Sequence, residues 1–168
     1  MLLQVVKLSA LKLFNRKTIR CLSKELGLDR KLILYVLYKE DKRFFYHNGI
    51  DIIRVLGALI VNVRKLKVKQ GASTISQQLY DIKQQNANLS YKRARTLKRK
   101  FLQTLFALKY ENNFTKNDIL REYLGSVYLG YNIFGFTRAS EFYFKKTSKT
   151  LSREEIFFLI SLFHIMFF

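Results

Sequence analysis

The chain has 168 residues and carries 31 Lys and Arg against 12 Asp and Glu, a formal charge of +19. That length allows one compact domain with a sizeable core and excludes two ordinary globular domains, so residues 1–168 are read as a single unit with one site. The cationic excess points to an anionic partner (nucleic acid, an anionic membrane or a phosphate-bearing substrate), unless a biased genome is the source of the abundant Lys, Asn, Ile, Phe and Tyr.

Hydrophobic residues make up 49% and proline is absent, which predicts long helices with few forced breaks. The opening run from Met1 to Phe14 has apolar stretches interrupted by Lys7 and Lys12, and lacks the basic leader and cleavage site of a signal peptide. Cys21, the single cysteine, permits no intrachain disulfide and is expected to be a packed core thiol. Asp29 is placed to cap a helix through about Lys39, with Leu32, Leu34, Val36 and Leu37 as its apolar body. A turn follows at Tyr46-His47-Asn48-Gly49. The next periodic stretch, Ile52 to Leu66, is apolar on one side with Arg54, Arg64 and Lys65 on its flanks, and contact with an anionic membrane surface is expected there.

Ser90 is expected to open the longest helix, from about Tyr91 to Glu111, in which Leu97, Phe101, Leu105 and Leu108 recur at helical spacing and read as a core face. Thr115 with Asp118 resembles a capping box that starts a helix through about Tyr128, and Ser152 with Glu155 starts the last one. Between them Gly130 and Gly135 mark a loop. The longest nearly apolar stretch, Ile156 to Phe168, is short of the roughly 20 residues needed to cross a bilayer and reads as a core helix or a membrane-facing surface.

Two clusters carry chemistry. In the first, Glu40-Asp41-Lys42-Arg43-Phe44-Phe45-Tyr46-His47-Asn48-Gly49, two carboxylates end an apolar helix beside an aromatic run. A carboxylate in a partly desolvated setting has its pKa raised and can act as a general base, although a solvated helix end with a surface His has the same composition. The second, Gly71-Ala72-Ser73-Thr74-Ile75-Ser76-Gln77-Gln78-Leu79, enters a helix with short hydroxyl and amide donors that suit sugar or phosphate oxygens; an ordinary Ser/Thr cap with an exposed Gln pair also accounts for it.

Taken together, the order and spacing of these clusters resemble the first two signature motifs of the peptidoglycan glycosyltransferases, glycosyltransferase family 51, the transglycosylase domain of penicillin-binding proteins and monofunctional transglycosylases. Arg99-Lys100 after Arg95 resembles the third motif, Tyr123 to Gly130 the fourth, and Ala139 with Tyr143-Phe144 and Lys146 the fifth, so the resemblance covers about residues 35–163. It implies a mainly α fold, a lysozyme-like helical lobe with a smaller membrane-associated jaw lobe, at the extracytoplasmic face of the cytoplasmic membrane. The implied partners are a lipid-pyrophosphate-linked disaccharide, the growing glycan chain, the membrane surface and other cell wall synthesis proteins, with no nucleic acid expected. By the same resemblance Glu40 is the general base of an inverting transfer. Asp41, Phe44, His47, Gly49, Gly71, Ser73, Thr74, Gln77 and Gln78 match substrate-binding positions, and Arg95, Arg99 and Lys100 match cations near the donor pyrophosphate. A divalent cation, Mg or Mn, is implied in the same way.

The sequence departs from that pattern at three places. The third motif normally ends in Glu, but Gln103 stands there and keeps the hydrogen bonding without the charge. The second normally continues to Lys and Asn, where this chain has Asp81 and Ile82, followed by Lys83; the fourth has Gly125 in place of Asn. Impaired or absent catalysis, with the domain serving as a scaffold or regulator of wall synthesis, is therefore weighed beside the enzyme. A basic helical nucleic-acid-binding module is a third reading, motivated by the +19 charge although no recognised nucleic-acid motif accompanies it. The family usually carries a transmembrane anchor before this region and a segment after the last apolar helix; neither is visible, which is the pattern of a chain truncated at its C-terminus.

Overall fold

Asn15 accepts a hydrogen bond from the Thr18 amide and starts helix α1, Arg16–Glu25, whose inner face is Thr18, Ile19, Leu22 and Ser23. The computed structural model describes residues 15–64, 72–88, 90, 91 and 96–167, and Gly71 and Arg95 lie outside them. Cys21 is exposed, a correction to its expected core position: the residues on either side of it along the helix face, Ile19 and Leu22, take the buried stripe. Gly27, at φ +66°, turns the chain into α2, Arg30–Glu40. Asp29 caps α2 as expected, accepting from the Lys31 amide at 2.6 Å, while Ser148 accepts from the Asp29 amide.

Leu32, Ile33, Val36 and Leu37 bury α2 so completely that its C-terminal residues, Glu40 and Asp41, arrive inside the protein. A single 3-10 turn, Phe44–Tyr46, reverses the chain, and Asp51 accepts from the Arg54 amide at the start of α3, Ile52–Arg64. Among the residues of α3 only Ala58 is buried; Ile52, Ile53, Leu56, Leu59, Ile60 and Val63 face outward. The expected last residues of this helix, 65 and 66, lie outside the described part of the chain.

Helix α4, Ile75–Ala87, opens on a reciprocal capping box between Thr74 and Gln77, and packs along α5, Leu97–Asn113, and α6, Lys116–Ser126. Helix α5 is capped by Thr96 rather than by the expected Ser90, since the Thr96 hydroxyl is the one that accepts the Arg99 amide. Its register is also a correction. The Leu97, Phe101, Leu105 and Leu108 stripe is exposed, at 89% and 62% for the first two, and the face that enters the protein is marked by Gln103 and Ala107. Spacing identifies a face but not what covers it.

The Thr115–Asp118 capping box and the Ser152–Glu155 pair form as expected, the latter opening α8, Arg153–Phe167. Between them a loop closed by the Tyr128–Phe134 bridge leads through Gly135 into α7, Phe136–Phe144, which packs on α8. The described residues are thus mainly α-helical and contain no β-sheet. Their core gathers Leu32, Leu37, Leu79, Ile119, Tyr123 and Phe163 from α2, α4, α6 and α8.

Gly49 fixes how α5 approaches the turn after α2. It sits at φ +88°, and a Cβ there would stand 3.0 Å from the Ala107 carbonyl carbon and oxygen. Gly49→Ala is expected to lower stability by about 2 kcal/mol or more, measured by denaturant unfolding, because both the left-handed backbone and the helix contact are lost.

Candidate active site

The C-terminus of α2 and the N-terminus of α4 meet through one carboxylate. Asp41 is fully buried, and its Oδ2 accepts from the Ile75 amide at 3.0 Å and lies 3.0 Å from His47 Nε2. The first free amides of α4 and the imidazole are thereby joined at a single acceptor. Thr74 donates its hydroxyl to the Gly49 carbonyl at 2.6 Å, and Lys116 donates to the His47 carbonyl at 2.6 Å with its ammonium 4.5 Å from the centre of the buried Phe44 ring. Asp41, Phe44, His47, Gly49 and Thr74 are therefore committed to the protein's interior, where they bind other parts of the chain.

Glu40 precedes this joint and is 5% exposed. Its Oε2 accepts from Gln78 Nε2 at 3.1 Å, and the orientation of that amide is set by Tyr123, whose hydroxyl donates to Gln78 Oε1 at 2.8 Å. Burial pushes the Glu40 carboxyl above its ordinary range; the Gln78 bond and the charges of His164, Arg54 and Lys39 pull the other way without cancelling that rise. Such a carboxylate holds a proton more readily than an ordinary one, the property of a general base.

Arg54, from the first turn of α3, ties this carboxylate's backbone to the second cluster by donating to the carbonyls of Glu40 and Ser73. Ser73 in turn accepts from Lys100 Nζ at 2.7 Å, and Gln77 Oε1 lies 3.5 Å from the same ammonium while Gln77 Nε2 donates to Thr104. Burial and the neighbouring Arg99 lower the Lys100 pKa, with Asp81 opposing. The fold thus brings Glu40, Ser73, Gln77, Gln78 and Lys100 into one hydrogen-bonded neighbourhood, with Arg99 and Gln103 beside it on α5. Arg54, Lys116 and Tyr123 are the contributors that sequence reasoning overlooked as site residues. Arg54 reads locally as a basic helix flank, no local signal marks Lys116, and Tyr123 opens the stretch that resembles the fourth motif.

The transglycosylase family profile matches residues 9–165. This chain belongs to the transglycosylase family of penicillin-binding proteins. It is 39% identical over 137 residues to penicillin-binding protein 1B of Haemophilus influenzae, which covers 79% of this chain and 17% of that protein. With penicillin-binding protein 1A of Aquifex aeolicus it shares 41% identity over 123 residues, 73% of this chain and 16% of the other. For penicillin-binding protein 4 of Bacillus subtilis the match is 35% over 126 residues, 75% of this chain and 19% of the other. The chain therefore spans less than one fifth of the length of these relatives.

Within this family member, Gly125 at the fourth motif has no steric cause: a Cβ there meets nothing within 4 Å. For the divalent cation implied by the resemblance, the described residues offer no ready-made cluster of ligands. Among the described residues there is no group of three or more His, Cys, Asp or Glu side chains that could hold a metal, and Asp81 is bound to a guanidinium and an amide.

The raised Glu40 pKa fixes the sign of one prediction. A carboxyl whose folded-state pKa lies above its unfolded value favours folding while protonated, and that contribution is lost as pH rises through the folded value. Glu40→Gln is therefore expected to raise the thermal unfolding midpoint at a pH of about 7 to 8, and the gain should shrink as the pH is lowered to about 4. A midpoint difference that does not change with pH would contradict the assigned desolvation of Glu40.

Proposed function

We propose that this domain polymerises lipid-pyrophosphate-linked disaccharide into glycan strands, with Glu40 as the general base. The observation that carries the reading is the Glu40 carboxylate: buried, raised in pKa, oriented by Gln78 and joined through Arg54 at the backbone to Ser73, which Lys100 holds. In the transfer, Glu40 takes the proton from the acceptor sugar hydroxyl as its oxygen attacks the donor anomeric carbon. The bond from that carbon to the lipid pyrophosphate breaks with inversion, and the leaving group departs with its electron pair. Lys100 is the cation placed to meet the charge that builds on the departing phosphate, supported by Arg99 behind it. Ser73 and Gln77 supply the hydroxyl and amide that orient sugar and phosphate oxygens.

The same reading includes a lysozyme-like lobe containing the α2 and α4 ends, and a smaller jaw that lies on the membrane at its extracytoplasmic face. Two features support the membrane part. Helix α3 exposes Ile52, Ile53, Leu56, Leu59, Ile60 and Val63 beside Arg54 and Arg64, and α5 exposes Leu97, Phe101 and Leu105. Apolar insertion and attraction to anionic lipid then act on one surface. Among the described residues no helix is long and apolar enough to cross a membrane. The presence of Gln103 at the second family carboxylate position favours a second reading, a non-catalytic relative that binds the precursor and organises wall synthesis.

Purified protein supplied with labelled lipid-linked precursor separates the two. Chain growth that disappears in Glu40→Gln, with the variant folded and at least as stable as the parent, is the expected result; precursor binding without growth by the wild type would establish the scaffold. Growth should also fall on the acid side, because the base is lost as pH drops through the raised Glu40 pKa, above the ordinary carboxyl range. In liposome flotation, Ile53→Asp with Ile60→Asp should release the protein from anionic vesicles. Binding unchanged by these substitutions and by salt would contradict the membrane surface.

A further inference from the structure

Two of the three departures from the family pattern touch each other. Asp81, 2% exposed on α4, accepts from Gln103 Nε2 at 2.6 Å. The same carboxylate accepts from Arg99 Nη1 at 2.8 Å and from the Tyr91 hydroxyl at 3.1 Å. Considered separately, Asp81 introduces a repulsive charge and Gln103 loses a useful one. In contact, they keep one carboxylate in this place, carried by α4 instead of α5, while the cation expected at position 81 is replaced and Arg99 supplies the positive partner. The arrangement is chemically complete at the acceptor, since a buried carboxylate is compensated by a guanidinium and by neutral donors.

The remaining atoms show what depends on it. Arg99 Nε and Gln103 Oε1 are buried without a hydrogen-bond partner, so the bonds to Asp81 are what orient these two side chains among the described residues. Arg99 adjoins Lys100, the cation that holds Ser73, and Asp81 lies one helical turn beyond Gln78, the ligand of Glu40. From α5, Asp81 faces Arg99 and, electrostatically, Lys100; Tyr91 precedes α5. On the α6 side the charges are the Lys83–Glu122 pair.

We infer that Asp81 is a positioning residue of the transfer site, carrying on α4 the carboxylate that Gln103 lacks on α5 and holding Arg99 and Gln103 in a single orientation. Its part in transfer rests on the proposed polymerising activity. The carboxylate–amide unit itself does not, and the two are tested by different readouts.

Three full-length variants serve: Asp81→Asn, Gln103→Glu and the exchange Asp81→Asn/Gln103→Glu. A carboxylate at position 103 beside Asp81 makes a pair that cannot both ionise, so the folded protein retains a proton that the unfolded chain releases. Stability from that proton is lost as pH rises, and the Gln103→Glu midpoint should fall further below wild type between a pH of about 5 and about 8. The exchange variant should remove that pH-dependent gap. In precursor polymerisation, Asp81→Asn should lower kcat by about tenfold or more with KM within about threefold, and the exchange should return kcat to within about threefold of wild type. Wild-type kcat in Asp81→Asn would overturn the inference, as would an exchange variant as pH-sensitive as Gln103→Glu or no faster than Asp81→Asn. If the wild type builds no chains, the transfer role falls with the activity, and the pH series alone decides whether positions 81 and 103 form one unit.

Discussion

Asp41 is the acceptor on which the geometry of this domain turns. Its carboxylate holds His47, which closes the turn after α2, and the Ile75 amide, which begins α4. The second of those segments carries Gln78, the donor to Glu40, and Gln77, which shares Lys100 with Ser73. A charge buried this deeply is tolerable because its donors are fixed by covalent proximity and by the free amides of a helix start. Its neighbour Glu40 lacks that compensation, having an amide donor where Asp41 has an imidazole and a helix terminus. One helix end thus delivers two adjacent carboxylates into unlike environments, one that builds the site and one whose proton affinity is raised.

Helix starts were the most legible part of the fold. Asp29, Thr115 with Asp118, and Ser152 with Glu155 all cap where their side chains indicate, because a cap is a contact between residues two or three apart and needs no knowledge of the rest of the chain. Helix α1 was missed because its sequence is mostly polar and only a narrow stripe, Ile19 and Leu22, enters the core. The outward turn of Leu97, Phe101 and Leu105 was illegible for a different reason. Periodicity is intrinsic to a helix, whereas burial depends on what packs against it, and α5 packs along α4 while Gln103 and Ala107 mark its buried face.

At the site, motif order singled out residues that the fold gathers, but not the contacts among them. Asp41, Phe44, His47 and Thr74, which the resemblance matches to substrate-binding positions, lie in the interior joint beside Glu40. Nothing local distinguishes a buried aspartate that binds a helix amide from an exposed one that binds sugar. The contact between Asp81 and Gln103 was equally hidden, since the residues lie on different helices and each reads alone as a defect. Two unfavourable substitutions become intelligible only when their side chains are found to share a hydrogen bond.

The distribution of positive charge around Glu40 completes the physical account. Arg54 is near enough to contribute to the carboxyl's electrostatics, yet its guanidinium is directed at the carbonyls of Glu40 and Ser73. A guanidinium forked onto the carboxylate would drive the pKa down and leave a poor base, while a wholly apolar surround would leave it protonated at neutral pH. The Gln78 amide is intermediate: it stabilises the ionised form by one neutral hydrogen bond, and Tyr123 keeps its N–H side toward Glu40. Cations in this domain therefore organise the backbone and hold Ser73, while a neutral donor governs the Glu40 carboxylate.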